Sequence, residues 1–102
     1  MSETAIGRSV IKEVAGRRVV CSELTVAQVR GLLQQGSAGD LVDELLLEDL
    51  RLADLPLFTG LVMEELERML PSDLEVLVAG CKEANPSFFR MLAKLDSLQK
   101  PA

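Results

Sequence analysis

The chain has 102 residues, 48% of them apolar and 26% charged, with a net charge of −5. That length supports one hydrophobic core, and the composition is that of a globular chain. Histidine, tryptophan and tyrosine are absent. The commonest general base and metal ligand is therefore missing, which argues against an enzyme and predicts neither cofactor nor metal.

Residues 5–22 read as a β-hairpin. Val10, Ile11, Val14, Val19, Val20 and Cys21 are β-branched or small apolar residues interleaved with Lys12, Glu13, Arg17 and Arg18, and Ala15-Gly16 between them suits a tight turn. A lone hairpin is marginal in water, so it has to pack on something or pair with another chain. A first helix is expected over 25–35, opened by the Thr25/Gln28 capping box, lined by Val26, Val29, Leu32 and Leu33, and stopped at Gly36. Gly36-Ser37-Ala38-Gly39 is a short joint.

Residues 40–98 form a leucine-rich helical part. Asp40 caps a helix with apolar positions Leu41, Val42, Leu45 and Leu46. Glu48–Phe58 reads as a broken or extended connector, because its leucines alternate and Pro56 biases Leu55 away from helix. Thr59 is then expected to cap a helix over 60–70 with Leu61, Val62, Leu66, Met69 and Leu70 on its buried stripe. A Ser72/Glu75 capping box opens the next helix, whose Leu74, Leu77, Val78 and Cys81 fall at i, i+3, i+4 and i+7. Asn85-Pro86 ends it and starts the last helix, with Asn85 as cap and Pro86 first. The expected fold is a single α+β, mainly helical domain over 1–102: an N-terminal hairpin followed by a small bundle of four to five short helices.

Charge is uneven along the chain. Eleven acids lie between Asp40 and Glu75 against Arg51 and Arg68 alone. An acidic middle repels phosphate backbones, so nucleic acid is not an expected partner. The cluster Asp40, Asp43, Glu44, Glu48 and Asp49 lacks the ligand spacing of a calcium loop and reads as a solvated helix face. Cys21 and Cys81, without C-x-x-C spacing and on apolar stretches, read as buried small hydrophobes. The longest uncharged apolar stretch, Leu55 to Met63, is far short of the ~20 residues a membrane span needs, and no signal peptide is visible. A cytoplasmic protein without membrane contact is expected.

The last helix carries Phe88, Phe89, Met91, Leu92, Leu95 and Leu98. One reading gives all six to the core. The other gives part of this face, including the adjacent aromatics, to a partner helix, since aromatic and Met side chains are favoured interface anchors. These six are the candidate protein-binding residues. Asp96-Ser97-Leu98 matches the triplet around the phosphopantetheine serine of acyl carrier proteins, but that serine opens a long helix in mid-chain, and here only four residues follow Leu98.

With these residues laid out, the chain resembles the small tail assembly chaperones of long-tailed bacteriophages. The resemblance lies in the Gly-turned hairpin from Lys12 to Val20, then Leu24-Thr25-Val26-Ala27-Gln28-Val29-Arg30, Asp54-Leu55-Pro56-Leu57-Phe58-Thr59-Gly60-Leu61, Glu64-Glu65-Leu66-Glu67, Pro71-Ser72-Asp73-Leu74 and Glu83-Ala84-Asn85-Pro86-Ser87-Phe88-Phe89. It spans nearly the whole chain, through strings that are not unique to the family. It implies a non-enzymatic, ATP-independent protein of the infected host cytoplasm that escorts the tape measure protein, assists assembly of the tail-tube protein around it, and is absent from the finished virion. The alternative, from another class, is a small phage or bacterial regulatory adaptor or inhibitor that binds one protein stoichiometrically. Unpaired hairpin edges invite pairing with another copy, so a homo-oligomer is also an expectation.

Overall fold

The computed structural model describes residues 7–34, 40–47 and 50–99. Two antiparallel strands, β1 (Ser9–Val14) and β2 (Arg17–Ser22), open the fold. Ala15 and Gly16, at φ of 51° and 77°, make the two-residue turn whose twist matches the strands, so the hairpin forms as expected from Ser9 onward. Ala5 and Ile6, and the joint 36–39, lie outside the described residues. Val10 faces Cys21, Lys12 faces Val19 and Val14 faces Arg17, which puts Val14, Val19 and Cys21 on one buried face.

Among the described residues six α-helices follow: α1 (Val26–Gln34), α2 (Leu41–Leu45), α3 (Leu55–Thr59), α4 (Met63–Glu67), α5 (Pro71–Ala84) and α6 (Pro86–Gln99). A 3-10 turn, Leu52–Asp54, leads into α3. The fold is α+β and mainly helical as expected, with six α-helices among the described residues where four to five were expected. The Thr25/Gln28 box is complete: Thr25 N–H donates to Gln28 Oε1 at 2.9 Å, and Gln28 N–H donates to Thr25 Oγ1 at 3.1 Å. Asp40 caps α2 by accepting from Asp43 N–H at 3.0 Å.

The stretch from Leu50 to Leu70 corrects the sequence reading. Leu55 is helical (φ −59°, ψ −37°) in spite of Pro56, and the expected connector is a 3-10 turn followed by α3. Pro56 sits in the first turn of α3, where a missing N–H costs nothing, and burial of Leu55 and Phe58 outweighs the local pre-proline bias. Thr59 ends α3 rather than opening a helix over 60–70. Its hydroxyl donates to Leu55 O at 2.8 Å and accepts from Leu61 N–H at 3.2 Å. Gly60 follows at φ 76°, a left-handed stop that glycine adopts without strain. Of the expected buried stripe, Leu61, Leu66 and the half-buried Met69 face the core, whereas Val62 and Leu70 are exposed.

Helix α5 also begins earlier than the Ser72/Glu75 box suggests. Pro71 takes the first helical position and the Asp73 carboxylate accepts from Leu70 N–H at 3.2 Å. Its stripe is as expected: Leu74, Leu77, Val78 and Cys81 are buried against the inner hairpin face. Gly80 lets the two approach, since a Cβ there would lie 2.7 Å from Cys21 Sγ. The hairpin is thus held by α5, with α3 against β2 and Leu55, Phe58, Leu66 and Leu77 in the centre. Each such side chain contributes about 1.5–3 kcal/mol by leaving water.

Candidate functional site

Phenylalanine occurs three times in the chain, and the three rings converge. Phe58 of α3 lies 6.0 Å from Phe88 and 6.3 Å from Phe89, and Phe88 meets Phe89 edge-on at 5.0 Å. Lys82 Nζ stands 6.0 Å above the Phe89 ring, at the limit of a cation–π contact. The aromatics therefore seat the start of α6 on the core. From there the candidate face grades outward: Phe88 is buried, Phe89, Met91 and Leu92 are half-buried against the core, and Leu95 and Leu98 are exposed. Leu98 is 82% exposed. The structure thus places Phe88 in the core and leaves Leu95 and Leu98 in solvent, with the other three between.

Two grooves flank α6. On one side Leu33 of α1, Glu44 and Leu47 of the α2 region, and Phe88 and Leu92 of α6 line a groove of about 290 Å³. On the other, Leu24, Val26 and Val29 face Phe88 and Met91 across about 280 Å³. Leu32 and Leu50 add to the apolar lining of the first groove, and Arg51 and Asp54 to its polar one. The helices that border it also carry exposed apolar side chains: Leu33 on α1, Leu41 and Leu45 on α2, 74% and 73% exposed, with Val42 and Leu46 beside them, and Leu95 on α6. Only Leu47 at the end of the α2 region is buried. The sequence marked these α2 residues as apolar positions, but a five-residue helix cannot turn all of them inward.

The floor of that groove is fixed by an ion pair. Asp54, 5% exposed, accepts from Arg51 Nη2 at 3.0 Å, from Arg51 Nε at 3.2 Å and from Arg51 N–H at 3.0 Å. Arg51 Nη2 also reaches Leu32 O at 3.4 Å, tying α1 to the 3-10 turn. The hydrogen bonds that Arg51 donates to Asp54 hold the guanidinium charged even above its usual range, against the opposing effect of burial. The pair thus braces the 3-10 turn against α1, a structural role.

Two further features escaped the sequence. Asn85, 2% exposed, is the backbone cap of α6 as expected, its carbonyl accepting from Phe89 N–H at 3.2 Å. Its side chain goes elsewhere. Oδ1 accepts from Leu24 N–H at 2.8 Å, while Nδ2 donates to Ser22 O and to Cys81 O, both at 3.0 Å. It therefore clamps the exit of the hairpin to the α5–α6 corner. Cys21 and Cys81, sixty positions apart, are free thiols, fully buried, and meet. Hydrogen bonding to Cys21 and burial push the Cys81 thiol far above its usual range, whereas the same bond draws Cys21 down against its own burial. Cys21 in turn donates to Leu77 O at 3.7 Å.

Among the described residues no group of three or more Cys, Asp or Glu could hold a metal ion, and no helix is long and apolar enough to cross a membrane. Glu48 and Asp49 of the acidic cluster lie outside the described residues. Ser97 sits in the last turn of α6, not at a helix start. No family model, curated protein or solved structure matches the chain.

Proposed function

We propose that this chain is a phage tail assembly chaperone, a non-enzymatic protein that holds apolar helical segments of the tape measure protein in the host cytoplasm and assists the tail-tube protein to assemble around it. The observation that carries this reading is the groove between α1, the α2 region and α6, lined by Leu32, Leu33, Leu47, Leu50, Phe88 and Leu92, together with the exposed leucines that the same three helices carry, Leu33, Leu41, Leu45 and Leu95. A groove with leucines on both banks suits an amphipathic helix laid along it. Exposed large apolar residues gathered around one concavity mark interaction sites in soluble proteins, whereas scattered ones do not. The acids of α2, Asp43 and Glu44, keep that surface soluble while it is empty.

The reading predicts that deleting the gene leaves infected cells with filled heads and no tails. Normal tails in the deletion would refute it. A stoichiometric adaptor would use the same groove on a different protein, and in that case the deletion would spare tails and alter the timing of infection.

A further inference from the structure

The hairpin has an open edge, and its geometry selects a partner. The Ala15-Gly16 turn makes Val14 and Arg17 a hydrogen-bonded pair, and Glu23 N–H donates to Arg8 O at 2.9 Å in the same phase. Even-numbered residues of β1 therefore exchange bonds with β2, while Ser9, Ile11 and Glu13 turn their N–H and C=O groups to the open side. Among the described residues nothing bonds to those outward groups. The outer edge of β2 is less accessible. Ser22 O is taken by Asn85, Arg17 pairs with Glu65, and α3 packs against this strand.

We propose that β1 pairs antiparallel with β1 of a second copy of this chain, centred on Ile11, to give a continuous four-stranded sheet across a two-fold axis. Charge chooses the register. Outward groups can only meet outward groups, so the allowed alignments differ by steps of two residues in the sum of paired positions. Centred on Ile11, the pairs are Ile11 with Ile11, Ser9 with Glu13 and Val10 with Lys12, and no like charges oppose. One step toward the turn sets Lys12 against Lys12. One step away sets Lys12 against Arg8. Both are penalised, because like charges directly opposite destabilise a pair.

The outer face supports the same centre. Ile11 is 56% exposed and Val20, its cross-strand partner, 45%. Pairing at Ile11 joins them into one row, Val20–Ile11–Ile11–Val20, bordered by the Glu13–Arg18 ion pair (3.7 Å) of each copy. About six backbone hydrogen bonds would form, two for each narrow pair. Between Ser9 and Val14 no proline or bulge blocks edge pairing, and the one inward-facing charge, Lys12, is already paired with Glu83. The inner face stays on its own α5, with Lys12 Nζ held by Glu83 at 2.8 Å, so pairing needs no rearrangement of the core.

This dimer is independent of the α1–α2–α6 groove and of any client, and the two fail separately. Sedimentation of the purified protein from micromolar to millimolar concentration should show a monomer–dimer equilibrium. Ile11→Lys, which sets two lysines face to face, should move that equilibrium to roughly tenfold higher concentration or abolish it. Ile11→Pro removes one outward N–H without breaking a β1–β2 bond and should do the same. In the wild type, the amides of Ile11 and Glu13 should gain hydrogen-exchange protection as concentration rises, which reports on the pairing even if a variant folds poorly. A monomer at millimolar concentration, a dimer that both substitutions leave unchanged, or protection independent of concentration would overturn the proposal.

Discussion

Replacing Asn85 by alanine should cost far more stability than an exposed polar substitution does. The side chain is almost fully buried and makes three hydrogen bonds. At the end of α5 the Asn85 N–H bonds Lys82 O in place of Cys81 O, so Cys81 O depends on the Asn85 amide. Alanine would leave that carbonyl, Ser22 O and Leu24 N–H without their partner. At roughly 1 kcal/mol for each lost bond, and more where water cannot enter, the loss is about 3 kcal/mol. For a domain of this size that lowers the Tm by roughly 10–20 °C. Urea unfolding followed by circular dichroism is the assay, and the midpoint should fall with the slope unchanged, since the surface exposed on unfolding is nearly the same. Asn85→Asp keeps the acceptor for Leu24 but turns a carboxylate toward two carbonyls. It should be at least as damaging at neutral pH and should recover as the pH falls through the raised pKa of that buried carboxyl. A loss below about 0.5 kcal/mol for Asn85→Ala, the level of an ordinary surface change, would refute the clamp.

Other consequences are as direct. Gly80→Ala places a methyl 2.7 Å from Cys21 Sγ and 2.9 Å from Lys12 Cγ, so the hairpin must lift from α5, at a cost of about 1–3 kcal/mol in thermal or urea unfolding. Along α6 the cost of truncation to alanine should fall with depth: about 3–5 kcal/mol at Phe88, less at Phe89, and within about 0.5 kcal/mol at Leu98. Glu65 is held below the ordinary glutamate range, first by Arg17 and then by Val62 N–H. The stabilisation it provides is present above the unfolded pKa and lost as the pH falls through the folded one, and Arg17→Ala should return its NMR titration toward the ordinary value.

Local signals were legible in the sequence because they are settled within one turn of chain. The Ala15-Gly16 turn, the Thr25/Gln28 box, the Asp40 cap and the stripe of Leu74, Leu77, Val78 and Cys81 all form as their spacing predicts. What was not legible depends on distant chain. Nothing in Asn85-Pro86 shows that the amide reaches Leu24, 61 positions away, or that Cys21 and Cys81 meet. Pro56 and Thr59 misled for a related reason. Each is locally compatible with two roles, and burial of Leu55 and Phe58 selects the helix that runs between them. Periodicity placed the six residues of α6 on one broad face but carries no depth, so it could not separate Phe88 in the core from Leu98 in solvent. The exposed leucines of α2 show the same limit, because apolar spacing does not reveal whether a second surface is there to meet it.

If the apolar surface of α1, α2 and α6 holds a client helix, as proposed, the soluble fraction of the tape measure protein co-expressed with this chain should depend on it. The comparison is co-expression with the Leu45→Glu/Leu95→Glu variant, whose changes fall on exposed positions of α2 and α6. The client should be soluble and co-purify with the wild type and return to the pellet with the variant, while the variant itself keeps the wild-type Tm. A client equally soluble with the wild type, with the variant and with neither would rule the chaperone role out.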